Sequence, residues 1–215
     1  MEMNLNLGSG PYYVDGWINY DKSPNIVLSK FPKFKHILNS LNILNDSQAI
    51  QWDSRIKYLD IRKLSFPEKT VDNIYLSHVL EHLYYEEALT ILNNCFVALK
   101  IGGLIRICSP DYDRFIAKYL SEKEINELEA ATNFNDSLLS YPKGRPSFFG
   151  KYLRNNSGHV HYWHPFRSQI HQMLIKSGFS DLSDETFRIG KIPNIELLEF
   201  RDENSFYVEA RKLHT

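Results

Sequence analysis

Polar and apolar positions alternate as soon as the chain starts, Asn4-Leu5-Asn6-Leu7, and the alternation runs straight into Gly8-Ser9-Gly10. A period of two predicts a short strand, and glycine suits a turn whose backbone has φ > 0 or approaches a ligand closely. Pro11 to Gly16 hold too many turn formers for a helix, and Trp17 to Asp21 read as a second strand ending in an acid. Phe34, Ile37, Leu38, Leu41 and Leu44 fall at helical spacing, which predicts an amphipathic helix over 33–44 covering the sheet. Lys30, Lys33, Lys35 and His36 around its start read as a solvated face. Ile56 to Ile61 form a third strand with Asp60 near its end, and Val71 to Ser77 a fourth.

After the turn residues His78 to Leu83, a helix carries Ala88, Leu89, Ile91, Leu92, Cys95, Phe96 and Leu99 along one stripe. Lys100 complements its dipole, and Gly102-Gly103 stop it. Leu104 to Cys108 are the fifth strand, ending in Ser109-Pro110-Asp111, and one helical tract follows to Leu128. Residues 133–158 hold three glycines and prolines at 142 and 146 among aromatics. A long irregular stretch in a compact domain is usually functional, so 133–164 is read as a cover over a ligand site. Pro165 to Gly178 predict a helix with Pro in its first turn, and Phe206 to Glu209 a last strand added as an antiparallel edge.

Strands alternating with helices predict an open α/β sheet, and 215 residues fit one domain, 1–215. With 43% hydrophobic and 24% charged residues the chain reads as globular. A formal charge of -1 gives no pull toward nucleic acid or an anionic membrane, so neither is expected as a partner. No apolar run is long enough for a transmembrane helix, and polar Glu2, Asn4 and Asn6 interrupt anything like a leader's apolar core. Cys95 and Cys108 read as buried free thiols, and the expected location is cytoplasmic.

The candidate chemistry begins at the glycine turn, because ligands of open α/β sheets bind at the carboxyl ends of the strands. Asp21 there suits a ribose diol or, equally, a cap; Asp60 with Ile61 suits adenine, with a polar loop residue as the competing reading until its position is considered. The dinucleotide fingerprint wants a third glycine where Tyr13 stands and an acid farther on than Asp21, so a nicotinamide enzyme is disfavoured. His78-x-x-Glu81-His82 matches the inverted zincin motif, but Ile74-Tyr75-Leu76 place His78 at a strand end rather than inside a helix. His159, His161 and His164 form a second cluster, set aside as a metal site because no carboxylate or thiol stands beside it. No metal is expected.

The ordered set LNLGSG (5–10), GWINYD (16–21), LDIRKLSFPEKTVDNIYLSHVLEHL (59–83), ALKIGG (98–103) and IRICSPD (105–111) resembles the class I S-adenosylmethionine-dependent methyltransferases, type-11-like group. The resemblance covers the first half well and extends more weakly through HVHYWHPF (159–166) and SGF (177–179). It implies a Rossmann-like open twisted sheet, mostly parallel with an antiparallel edge strand and helices on both faces. It also implies S-adenosylmethionine as cofactor, with Gly8, Ser9 and Gly10 around its methionine part, Asp21 on its ribose and Asp60 with Ile61 on its adenine. His78 falls near the sulfonium end. Asn6 stands where the family usually carries an acid, and the spacing to Asp21 leaves little room for the family's first helix.

The expected reaction is methyl transfer to a small-molecule or saccharide acceptor at a hydroxyl oxygen, the saccharide by resemblance only. Alignment of donor and acceptor supplies much of the acceleration in such a displacement. His82, His161 and Asp111 are the candidate bases, Asp111 with a helix cap as its competing role. The alternatives are a cofactor-binding module without catalysis and the zinc peptidase.

Overall fold

The structure is a computed structural model and describes residues 2–40, 50–138, 161–200 and 204–214. A seven-stranded sheet runs in the order β3-β2-β1-β4-β5-β7-β6. Its strands are β1 Asn4–Leu7, β2 Ile18–Asp21, β3 Lys57–Tyr58, β4 Val71–Ser77, β5 Leu99–Pro110, β6 Ser180–Glu185 and β7 Ser205–Arg211. The first five are parallel; β7 lies antiparallel to β5 and β6 antiparallel to β7. The helices are α1 Asn25–Ser29, α2 Pro32–Ser40, α3 Tyr85–Ala98, α4 Tyr112–Glu122, α5 Glu127–Ser137, α6 Arg167–Lys176 and α7 Ile195–Leu198.

β1 is flanked on both sides, Leu5 pairing Ile18 and Ile74, and all four of its residues are buried. Leu5 and Leu7 join Ile74, Leu76, Ile105 and Ile107 in the main core, which α3 and α6 close with Leu92, Cys95, Ile170 and Leu174. Asn4 and Asn6 point the other way and are buried by amide pairing. Asn6 Nδ2 donates to Asn19 Oδ1 at 2.9 Å, and Asn73 Nδ2 donates to Asn4 Oδ1 at 2.8 Å. Asn19 in turn donates to the carbonyls of Val14 and Trp17. Buried amides are tolerated when their groups are satisfied in this way. Beside this ladder, Val14, Trp17, Tyr75, Ile192, Ile195 and Leu198 form a smaller cluster.

Several predicted boundaries shift. The third strand keeps only Lys57–Tyr58, because Asp60 caps a 3₁₀ turn, Ile61–Lys63. α3 ends at Ala98, and Lys100 and Gly102-Gly103 lie inside β5, where Lys100 pairs with Asp72 at 2.7 Å instead of a helix end. The tract after Asp111 breaks into α4 and α5, so 133–137 are helical; residues 139–160 of the predicted cover lie outside the described residues. Pro165 precedes the first residue of α6. Lys35 is buried, donating to the Ile50 carbonyl, while Ile37 is exposed, the reverse of the expected face of α2. Residues 41–44 of that predicted helix are outside the described residues. The last strand is not the edge: β6, whose Ser-Asp-Leu-Ser-Asp-Glu sequence shows no strand pattern, lies outside it.

β7 is buried on both faces, and its Glu209 takes part in a buried ion network. Arg106 on β5 is fully buried and contacts Glu199 at 2.5 Å and Glu209 at 3.1 Å, while donating to the carbonyls of Ile189 and Thr186. Removing one member of a buried pair leaves the others uncompensated. Arg106→Met is therefore expected to cost about 3–5 kcal/mol, measured by urea denaturation. Unchanged stability would show that the carboxylates do not depend on Arg106.

Candidate functional site

A cleft of about 490 Å³ opens over the carboxyl ends of β1, β2 and β4, a size in the range of small-ligand sites. Its floor is the turn after β1. Gly8 and Ser9 both donate backbone N–H groups to the Tyr20 carbonyl, at 2.8 and 3.0 Å, tying the turn to β2. Gly10 N donates to Asp21 Oδ2 at 3.0 Å, and Asp21 Oδ1 accepts from Ser23 N at 2.8 Å. Burial pushes the Asp21 carboxyl above the ordinary carboxylate range, and the backbone donors Ser23 and Gly10 oppose that rise.

Gly8 and Gly10 both have positive φ, +78° and +62°, but for different surroundings. A Cβ on Gly8 would lie 2.3 Å from Val79 Cγ2, in the turn after β4. The close approach at Gly8 is therefore to protein, where the sequence suggested ligand. A Cβ on Gly10 meets nothing within 4 Å. Ser9 is buried and its hydroxyl turns to the Gly10 carbonyl. Asn6 lines the cleft, with its amide committed to Asn19.

Leu59, Ile61, Leu83 and Trp52 supply an apolar wall. Asp60 does not join it: its carboxylate accepts from Arg62 N and forms a two-oxygen contact with the Arg62 guanidinium, 2.6 Å at the shortest. That pairing holds its carboxyl below the usual range. The apolar wall was only partly legible in sequence, since Trp52, Leu59 and Leu83 lie in short or irregular segments without periodicity. Leu198, Glu199 and Phe200 also line the cleft and carried no sequence signal either.

His78 sits at the end of β4 with φ 52°, its Nδ1 3.1 Å from Glu81 Oε1 and its Nε2 3.0 Å from Ser205 Oγ. Burial disfavours its proton, but Cys108 and Glu81 outweigh this and raise the ring to about 10. Leu80–His82 form a single 3₁₀ turn. His78 and His82 thus do not share a helix face, and the inverted zincin geometry is absent. His82 lines the cleft and stacks near His161, with ring centroids 4.9 Å apart. His161 is buried, its Nδ1 2.9 Å from Tyr112 Oη, and burial pushes its pKa down to about 4, so the ring is neutral near pH 7. His164 packs against Tyr112; His159 is outside the described residues. Asp111 is off the cleft, capping α4 through Arg114 N and facing Arg114 and Arg167.

The strand order, with two antiparallel strands after five parallel ones, and a cleft on the carboxyl ends define the Rossmann-like methyltransferase fold. Residues 38–107 match the methyltransferase domain family, a segment that includes Asp60, Glu81 and His82 but not the glycine turn. In fold the chain is similar to a SAM-dependent methyltransferase of Methanosarcina mazei. Identity there is 13% and the TM-score 0.52, covering 100% of this chain and 93% of that one. It is also similar to a protein solved in complex with the Haloferax volcanii Trm112 methyltransferase activator. In that case identity is 12% and the TM-score 0.50, covering 99% and 83%. No curated protein matches the chain in sequence. Among the described residues no helix is long and apolar enough to cross a membrane.

The contact between Gly8 and Val79 generates a test. Gly8→Ala is expected to destabilise the chain by about 1–3 kcal/mol, from positive φ and overpacking. Adding Val79→Ala should return part of that loss in a double-mutant cycle followed by thermal unfolding. Simple additivity would place the turn elsewhere.

Proposed function

We propose that the cleft binds S-adenosylmethionine and that the protein transfers its methyl group to a hydroxyl oxygen of a small-molecule or saccharide acceptor. The observation that carries the reading is Asp21, a mostly buried carboxylate at the tip of β2 that fastens the glycine turn and lines the same cleft. The residues fit such a cofactor. Gly10 leaves open space above the turn, Asp21 offers acceptor lone pairs to a diol, and Leu59, Ile61 and Leu83 offer a flat apolar wall to a purine. Asn6, Gly8 and Ser9 shape the floor, and His78, which lines the same cleft, has its ring nitrogens engaged by Glu81 and Ser205. Asp60 contributes through the backbone turn it caps, since Arg62 holds its carboxylate.

When bound, this cofactor supplies a methyl group activated by a sulfonium. The chain's own contribution is to bind, align and keep water out, which suits a displacement that removes charge. His82 stands in the cleft wall with neutral His161 behind it, and this end is where we place the acceptor. A neutral imidazole has the protonation state needed to take up a hydroxyl proton. Asp111, paired with two arginines away from the cleft, orients α4 instead. The two buried free cysteines suit a reducing, cytoplasmic setting.

Calorimetry with S-adenosylmethionine and S-adenosylhomocysteine tests the reading. The folded chain is expected to bind both, and Asp21→Ala to weaken binding by at least about tenfold, roughly 1.4 kcal/mol. Failure of the folded chain to bind either compound would overturn the assignment.

A further inference from the structure

The fold brings a carboxylate to the histidine cluster that lacked one in the sequence. Glu81, His82 and His161 each offer a ligand atom, and these atoms all lie within 4.8 Å of one another. We propose that these three side chains bind one divalent transition-metal ion at the acceptor end of the cleft.

Four features support a built site. First, the two chain segments are stapled together: Tyr162 N donates to the Glu81 carbonyl and Trp163 Nε1 to the Leu80 carbonyl, both at 2.8 Å. Second, two of the three side chains are oriented from outside. Tyr112 Oη holds His161 Nδ1, and a proton on that nitrogen leaves the Nε2 lone pair for a metal. His78 Nδ1 holds Glu81 Oε1. Such outer partners fix ring and carboxylate orientation in metal sites. Third, the Glu81 side chain is fully buried, with its Oε2 3.5 Å from Ser109 Oγ. A buried carboxylate oxygen ordinarily has a close partner. Fourth, His82 lines the cleft, so the cluster adjoins the space in which the acceptor is placed.

Two imidazoles and one carboxylate suit zinc, manganese, iron or cobalt better than calcium or magnesium, which prefer an all-oxygen shell. An ion held there binds an acceptor hydroxyl and lowers its pKa. The two imidazoles then act through the ion instead of as bases themselves. The hydroxyl proton leaves to solvent, the oxygen lone pair forms the bond to the methyl carbon, and the S–CH₃ bonding pair stays with sulfur. This role narrows the acceptor to one with a ligating oxygen. It rests on the methyl-transfer reading, whereas ion binding itself does not.

The test is calorimetric titration of the chelator-treated, folded chain with Mn²⁺, Co²⁺ or Zn²⁺, with the Co²⁺ absorption spectrum as a second readout. One equivalent is expected to bind wild type. His82→Ala and His161→Ala should each weaken binding by about tenfold to a hundredfold, and Tyr112→Phe, which preserves the core ring, by about tenfold. No binding by the folded wild type, or unchanged affinity in the folded variants, overturns the site. Ion binding with no S-adenosylhomocysteine binding would leave the site standing and remove the methyl-transfer reading. The opposite pair of results would remove only the metal.

Discussion

A single carboxylate ties the end of β1 to the end of β2. Asp21 accepts from Gly10 on one oxygen and from Ser23 on the other, so the glycine turn cannot move without breaking a buried charge-assisted contact. The Tyr20 carbonyl anchors the same turn from below, and Val79 packs against Gly8 from the side. The shape of the cleft follows from these three contacts. They also explain why a four-residue strand suffices: its turn is held by neighbours on both flanks.

A second constraint works from β5, on the same face of the sheet. Arg106 on β5 gathers Glu199 from the segment before the last strand and Glu209 from the last strand itself. Glu199 is also in the cleft wall beside Phe200, whose ring lies 4.2 Å from Tyr12. The buried ion network therefore positions this part of the cleft wall. Its energetic role is specificity of placement as much as stability, since a buried pair gains little over apolar packing of the same volume.

Much of the sheet was legible because its parallel strands are short apolar or alternating runs ended by glycine or acid. Leu5 and Leu7, Ile74 and Leu76, and Ile105 and Ile107 gave three central strands directly. β6 was not legible: Ser180-Asp-Leu-Ser-Asp-Glu gains its strand form from pairing with β7, not from its own pattern. Lys35 misled for a similar reason, since a lysine near a helix start reads as solvated until the Ile50 carbonyl is folded onto it. Gly8, Gly10 and Asp21 line one cleft, as their positions at strand ends suggest. Asp60 occupied the expected place but turned to Arg62, two residues on, which spacing alone does not reveal. The meeting of Glu81 and His82 with His161 is a tertiary event across some eighty residues and left no trace in either motif.

We infer that the Asp21-fastened turn is the floor of a nucleoside site. A crystal structure with S-adenosylhomocysteine tests it most directly. The ribose hydroxyls are expected within hydrogen-bonding distance of Asp21, the purine against Leu59 and Ile61, and the homocysteine end running past Gly10 toward His78. Density for the ligand away from Asp21 and the glycine turn would contradict it.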